Sequence, residues 1–264
     1  SFAIETATSL VAVDAQRQIH HAKKFLDQLQ TIGKPLVALF ITHEHPDHHG
    51  GISEYQRRGK EGMPVYVTRA TAEAIDKDER GFIALGRQIL KEDFSGLEGR
   101  ITNLVNAGDE IEIDGVTIRS HELGPGESSS MSAFEPVRSG VLFCGDLVAN
   151  RMTPFLFEGR SKRWVEQLKA FPRSFGHVEI LYGGHGAPAT AKELVSMQLD
   201  YIERFRGRVA SVQKDGELSD EQKQRIRDAV AQEYPDYEPV AEVPLFVETN
   251  AAAVAKEIAL GENI

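Results

Sequence analysis

Short apolar runs alternate along this chain with stretches of helical period. Leu10-Val11-Ala12-Val13 reads as a strand. Ile19, Ala22, Phe25, Leu26, Leu29 and Ile32 recur at the spacing of an amphipathic helix, and Gly33-Lys34-Pro35 stops it. Leu36 to Ile41 is unbroken apolar sequence, as in a strand buried on both faces. Val65-Tyr66-Val67 predicts another short strand, and residues 70–93 predict a helical stretch with Ile75, Phe82, Leu85, Ile89 and Leu90 on one side. From about Ile101 to Cys144 the period shortens to two. Ile111, Ile113, Val116 and Ile118 flank Asp114-Gly115, a two-residue hairpin signal. Met131 to Phe134 and Val141 to Phe143 follow as strands. Trp164, Val165, Leu168 and Phe171 return to helical spacing, and Val178 to Tyr182 reads as a strand.

Beyond residue 190 the pattern is mostly helical. Thr190 with Glu193, and Ser219 with Gln222, have the spacing of capping boxes. The acidic stretch Asp215 to Glu242 reads as a solvated helical face. Two clusters of strands with helices between and after them imply sheets covered by helices, an α/β architecture. There is no internal repeat and no Pro/Ser/Gly linker, so we expect one domain over residues 1–264 with a mainly helical portion from about 190.

Composition narrows the classes without choosing among them. The 264 residues are 41% hydrophobic and 27% charged, ordinary values for a globular chain. No apolar run reaches the ~18 residues of a membrane span. A formal charge of −10 weighs against long nucleic acid, whose phosphates need a basic footprint. The single cysteine, Cys144, excludes an intrachain disulfide and a thiolate-rich metal site, and its place in a strand points it into packing. The opening Ser1-Phe2-Ala3-Ile4 lacks an initiator Met and starts as if inside a strand. A truncated or processed N-terminus is expected, and the compartment, cytoplasmic or periplasmic, stays open for a chain expected to be soluble.

One segment carries the chemistry. Thr42-His43-Glu44-His45-Pro46-Asp47-His48-His49-Gly50-Gly51 follows the apolar run directly. Imidazole and carboxylate are the donors that zinc, iron and manganese accept. Four such groups within six residues can wrap a cation from a loop, with Pro46 stiffening it and Gly50-Gly51 turning the chain after it. By composition the His-x-His-x-Asp-His pattern arises about once in two thousand such chains, which weighs against an accidental polar loop.

His43-x-His45-x-Asp47-His48 followed by Gly50-Gly51 resembles the signature of the metallo-β-lactamase superfamily. Ile4-Glu5 through Val13-Asp14-Ala15 resembles that family's opening strands and Asp turn. Phe143-Cys144-Gly145-Asp146 resembles its strand ending in a metal-bridging aspartate, and Tyr182-Gly183-Gly184-His185-Gly186 its last histidine motif. The resemblance implies a four-layer αββα sandwich, two β-sheets face to face with helices outside. Each candidate ligand follows an apolar strand, so one sheet edge would gather them. The chain departs from the family at Gly124-Pro125-Gly126-Glu127, where Glu127 stands in place of the usual histidine. Glu127 reads either as a replacement carboxylate ligand, favouring iron or manganese relative to zinc, or as a plain loop carboxylate with a weakly held or absent first metal. His121 is its rival for that position. His121 and His49 are otherwise expected to buttress ligands.

The implied site places one ion on His43, His45 and Glu127 and a second on Asp47, His48 and His185, with Asp146 bridging. The resemblance thus implies two divalent ions, zinc first and iron or manganese as alternatives. It implies a hydrolase using metal-bound hydroxide on a small ester, lactone, thioester or cyclic amide, a β-lactam included, with Asp47 orienting the nucleophile and transferring its proton. Alternatives are an iron-dependent, oxygen-handling oxidoreductase on the same fold, a phosphodiesterase, and a non-catalytic binding protein. Val148 to Arg160, with Met152, Phe155, Leu156 and Phe157 between Arg151 and Arg160, would either line an apolar cleft or pack its aromatics in the core. No substrate-contacting residue and no oligomeric state follow from the sequence.

Overall fold

The computed structural model describes residues 1–94 and 101–261. They form two compact units, Ser1–Gly124 with Ser130–Gly145, and Pro125–Ser129 with Asp146 onward.

The first unit opens with strands β1 (Phe2–Glu5) and β2 (Leu10–Val13), helix α1 (Ile19–Gln30) and strand β3 (Leu36–Ile41). A helical turn α2 (Pro46–His49), helix α3 (Ile52–Arg58), strand β4 (Val65–Thr68), helices α4 (Arg69–Lys77) and α5 (Phe82–Leu90), and strand β5 (Asn103–Val105) follow. The sheet runs β1-β2-β3-β4-β5, with β1 antiparallel to β2 and the others parallel. The apolar run of β3 is buried on both faces, as its composition predicts. Leu39 and Ile41 join Ala22, Leu26 and Leu29 of α1 and Tyr55 of α3 in one core cluster. Phe40 points the other way and meets Phe134 at 4.8 Å between ring centroids. That partner lies on β8 (Met131–Pro136), which follows β6 (Glu110–Ile113) and β7 (Val116–Gly124) and precedes β9 (Val141–Ala149). Phe2 likewise meets Phe143 of β9 at 5.9 Å. Two sheets therefore face each other within this unit, each aromatic pair adding about 0.5–1.5 kcal/mol beyond its burial.

The second unit contains β10 (Met152–Thr153), α6 (Ser161–Ser174), β11 (Ile180–His185), β12 (Ala189–Thr190), α7 (Ala191–Val212), α8 (Asp220–Glu233), β13 (Glu238–Pro239) and α9 (Phe246–Ala259). The second large sheet has the order β12-β11-β9-β8-β7-β6. The α/β class with two sheets and flanking helices is as expected. Among the described residues, no helix is long and apolar enough to cross a membrane.

Local departures have local causes. The single helical stretch expected over 70–93 is two helices and a 3-10 turn. Asp78 adopts φ +42° and ends α4, then receives the Ile83 and Ala84 N–H groups with its carboxylate. That carboxylate offers the chain a cap in place of continued helix. Leu85 and Ile89 are consequently exposed rather than on a common buried side. Strand β11 starts at Ile180, two residues later than expected. Ser219 and Gln222 form a reciprocal capping box, whereas Thr190 receives the Glu193 N–H.

A candidate metal centre

In the first unit the loop of candidate ligands begins two residues beyond the end of β3. His43 forms a bridge to Met131, and Thr42 O accepts from Ser132 N at 2.8 Å. His45 is the N-cap of α2 with Pro46 at its first position, and the turn carries Asp47, His48 and His49. The His43 ring lies 3.9 Å from that of His48 and 5.0 Å from that of His45 between centroids. All three imidazoles are buried, with Asp47 intermediate.

Asp14, at φ +60° just past β2, organises this cluster. Its carboxylate receives the Thr42 N–H at 2.8 Å, the Thr42 hydroxyl at 2.9 Å and His48 Nδ1 at 2.7 Å. A carboxylate only accepts, so His48 carries its proton on Nδ1 and offers Nε2 as a lone pair. The Thr42 hydroxyl spends its one hydrogen on Asp14, so its oxygen accepts from His43 Nδ1 at 3.0 Å. His43 is therefore also held in the tautomer that leaves Nε2 basic. Gly145, at φ +50°, passes closely here, and a Cβ at that position would lie 2.6 Å from Thr42 Oγ1. His49 holds the backbone of the same loop. It donates from Nε2 to Glu44 O at 3.0 Å, tying the loop to itself, and burial pushes its pKa down to about 4.

In the second unit Asp146 and His185 are brought together, with His185 Nε2 3.2 Å from Asp146 Oδ2. His185 ends β11, and its carbonyl accepts from Asn150 N at 3.0 Å. Gly186 turns the chain after it at φ +82°, where a Cβ would lie 2.5 Å from Asn150 O. Asp146 sits inside β9 and His185 is the last residue of β11, so of these three only His43 follows a strand in the expected way. Glu127 is buried in the Pro125–Ser129 segment. That segment is closed by Gly126 N donating to Ser128 O and by Gln167 Nε2 donating to Pro125 O. His121 lies on β7 and bonds Glu135 of β8 at 2.8 Å. Among the described residues, His, Asp and Glu side chains form groups of three that could hold a metal ion.

The sequence model of one family, the metallo-beta-lactamase superfamily, matches residues 9–186. The chain belongs to the metallo-beta-lactamase superfamily. Among curated proteins it is similar to a hydroxyacylglutathione hydrolase of Chromohalobacter salexigens, 27% identical over 62% of this chain and 53% of that one. It is also similar to one of Vibrio campbellii, 30% identical over 56% of this chain and 47% of that one. The chain spans about half the length of these relatives. Solved structures that resemble it include a metallo-beta-lactamase from Pontibacter korlensis, at TM-score 0.57 and 18% identity over 76% of this chain and 85% of that one. Another, from Hirschia baltica, has TM-score 0.53 and 22% identity over 76% and 84%. At these identities the likeness shows the metallo-beta-lactamase fold.

Two further features of this superfamily member bear on its site. In the segment after β9 some side chains pack inward and others are half-buried. Leu156 is buried, and the half-buried rings of Phe155 and Phe157 lie tilted with centroids 4.4 Å apart, with Phe157 5.1 Å from Phe246 of α9. Arg160 pairs with Glu158. A second aromatic, Phe82, stands edge-on to His45 at 5.6 Å. Sequence periodicity places Phe82 only on a helix face. A helix N-terminus aimed at a histidine loop leaves no mark in the periodicity.

Proposed function

We propose that the chain is a metal-dependent hydrolase of a small acyl substrate, and that His43, His45, Asp47, His48, Glu127, Asp146 and His185 hold two divalent ions, zinc first. The carrying observation is the pair of imidazoles fixed at Nδ1. Asp14 and Thr42 commit His48 and His43 to presenting Nε2, an arrangement that orients metal ligands and raises their basicity. Within each unit the candidate donors lie together, which supports the reading: His43, His45, Asp47 and His48 share one loop of the first unit, and Asp146 lies beside His185 in the second. On this proposal His43, His45 and Glu127 would hold one ion and Asp47, His48 and His185 the other, with Asp146 shared between them. Imidazole and carboxylate together fit zinc, iron or manganese.

Bound ions of this kind lower the pKa of coordinated water toward neutrality and polarise an acyl oxygen. The chain's own residues do the rest. Asp47 has its side chain 35% exposed and 3.5 Å from His48 Nε2, so its carboxylate can orient the attacking water and take up its proton. The water oxygen bonds to the acyl carbon, the bond from that carbon to oxygen, sulfur or nitrogen breaks, and the proton passes to the leaving group. An ester, lactone, thioester or cyclic amide meets this description. The curated relatives, named as hydrolases of a hydroxyacylglutathione, favour the thioester.

Protein purified without added metal is expected to contain close to two ions per chain by elemental analysis, and to hydrolyse a thioester or ester in a chelator-sensitive way. A metal-free protein, or hydrolysis indifferent to chelator, contradicts the proposal. Glu127→Ala is expected to lose one ion. Full stoichiometry and affinity in that variant return Glu127 to a plain loop carboxylate. Iron content with oxygen uptake and no hydrolysis would favour the oxidoreductase alternative, to which the hard carboxylate of Glu127 lends support.

A further inference from the structure

Helix α5 carries apolar side chains on a face that its own core does not use. Ile83 and Gly86 are the buried positions, and a Cβ at 86 would meet the Phe94 ring at 3.3 Å. Leu85 is 47% exposed and Ile89 is 59% exposed. At 3.6 residues per turn, Phe82, Leu85 and Ile89 fall within about 60° of one another, on a stripe roughly 10 Å long. Arg87, the charged residue of α5, falls off this stripe. The inner end of the stripe is the candidate ligand cluster, because the Phe82 ring stands edge-on to His45. Side chains this exposed add little to the core of the unit.

We propose that this stripe seats the hydrocarbon chain of the substrate, with the reacting carbonyl beside His45. The inference rests on the hydrolase reading and names its substrate class, acyl compounds bearing a medium-length apolar chain. Two observations favour a substrate over a second copy of the protein. The stripe is continuous with a candidate metal ligand through Phe82. It is also one side chain wide, far short of the roughly 1,200–2,000 Å² that a stable protein interface buries.

The test is the chain-length profile of kcat/KM for a thioester series from acetyl to decanoyl on the metal-loaded protein. Each methylene seated on the stripe is expected to raise kcat/KM by up to about fourfold. Leu85→Ser combined with Ile89→Ser flattens this rise. Leu260→Ser, which removes an exposed leucine at the end of α9, leaves it steep. A flat profile in the unaltered protein, or a profile the double substitution does not change, overturns the proposal. Decanoate titrated into chelator-treated, isotope-labelled protein gives a readout independent of turnover. Amide shifts at Phe82, Leu85 and Ile89 are expected, and their absence overturns the proposal. A dimer dissociated by Ile89→Ser assigns the stripe to a second copy and overturns it too. If no acyl compound is hydrolysed and decanoate still shifts these amides, the hydrolase reading fails while the binding stripe stands.

Discussion

Asp14 shows how one acceptor can set the chemistry of two histidines. It receives three hydrogen bonds within 2.9 Å, and through Thr42 it fixes the His43 tautomer as well as that of His48. Asp14→Ala removes this acceptor and frees both rings to turn or exchange tautomers. Metal affinity is expected to fall about 10- to 100-fold, the usual cost of losing such a partner, as read by competition with a chromogenic chelator. Unchanged affinity would show that the histidines are held without it. The candidate ligand cluster itself is legible in the sequence, because His43, His45, Asp47 and His48 lie within six residues and are of types that divalent metals accept. The buttress is not. Asp14 and His48 are 34 positions apart, and only the parallel pairing of β2 with β3 brings their backbones to the same level. Resemblance marks Asp14 as part of a turn, and the hydrogen bonds show what the turn is for.

Among the elements, the β6–β7 hairpin illustrates a turn that is legible and an anchor that is not. Asp114-Gly115 takes the positive φ values, +49° and +79°, that its sequence predicts. The Asp114 carboxylate also reaches the β1–β2 turn, receiving the Thr6 hydroxyl at 2.6 Å and then the Thr8 N–H and hydroxyl. These bonds, Thr6 first, hold its carboxyl well below the usual range. The unfolded chain then binds a proton more readily than the folded one. The contribution is therefore present above the ordinary carboxylate pKa and is lost as pH falls toward the folded value. Asp114→Asn is expected to be less stable than the parent at pH 7. Its stability should fall less steeply below about pH 4, where ordinary Asp carboxyls titrate. Urea midpoints across that range check both statements, and equal acid slopes would remove the anchor. Helices α4 and α5 teach the converse. Their apolar spacing reads as one helix, and the break at Asp78 follows from a carboxylate competing for backbone N–H groups, which hydrophobic period does not register.

At the scale of the molecule, the alternation of strands and helices makes the fold class legible, while the duty of the C-terminal portion is not. Beyond residue 190 the sequence shows capped helices and no motif. The structure gives α9 a holding function within the second unit. Asn250 accepts from Leu156 N at 2.6 Å and donates to Pro154 O at 2.9 Å, and Phe246 covers Phe155 and Phe157. Glu257 receives Ser161 N and Lys162 N, capping α6 from a different helix, with Arg206 of α7 bound to the same carboxylate. Side-chain-to-backbone bonds across 94 to 96 positions have no periodic signature. Asn250 is fully buried, so Asn250→Ala leaves two backbone groups without their partners. A loss of about 2–6 kcal/mol is expected, each orphaned group costing about 1–3. Trp164, the chain's single tryptophan, is buried in the same unit and donates to Leu147 O, so its fluorescence reports the change directly. Strand β9 is continuous from Val141 to Ala149, with its first residues in one unit and its last in the other. If that strand makes the chain one cooperative body, far-UV circular dichroism and Trp164 fluorescence will show a common midpoint, shifted together by Asn250→Ala. A fluorescence transition that moves alone would instead mean that the two units unfold separately, with the effect of α9 confined to the second.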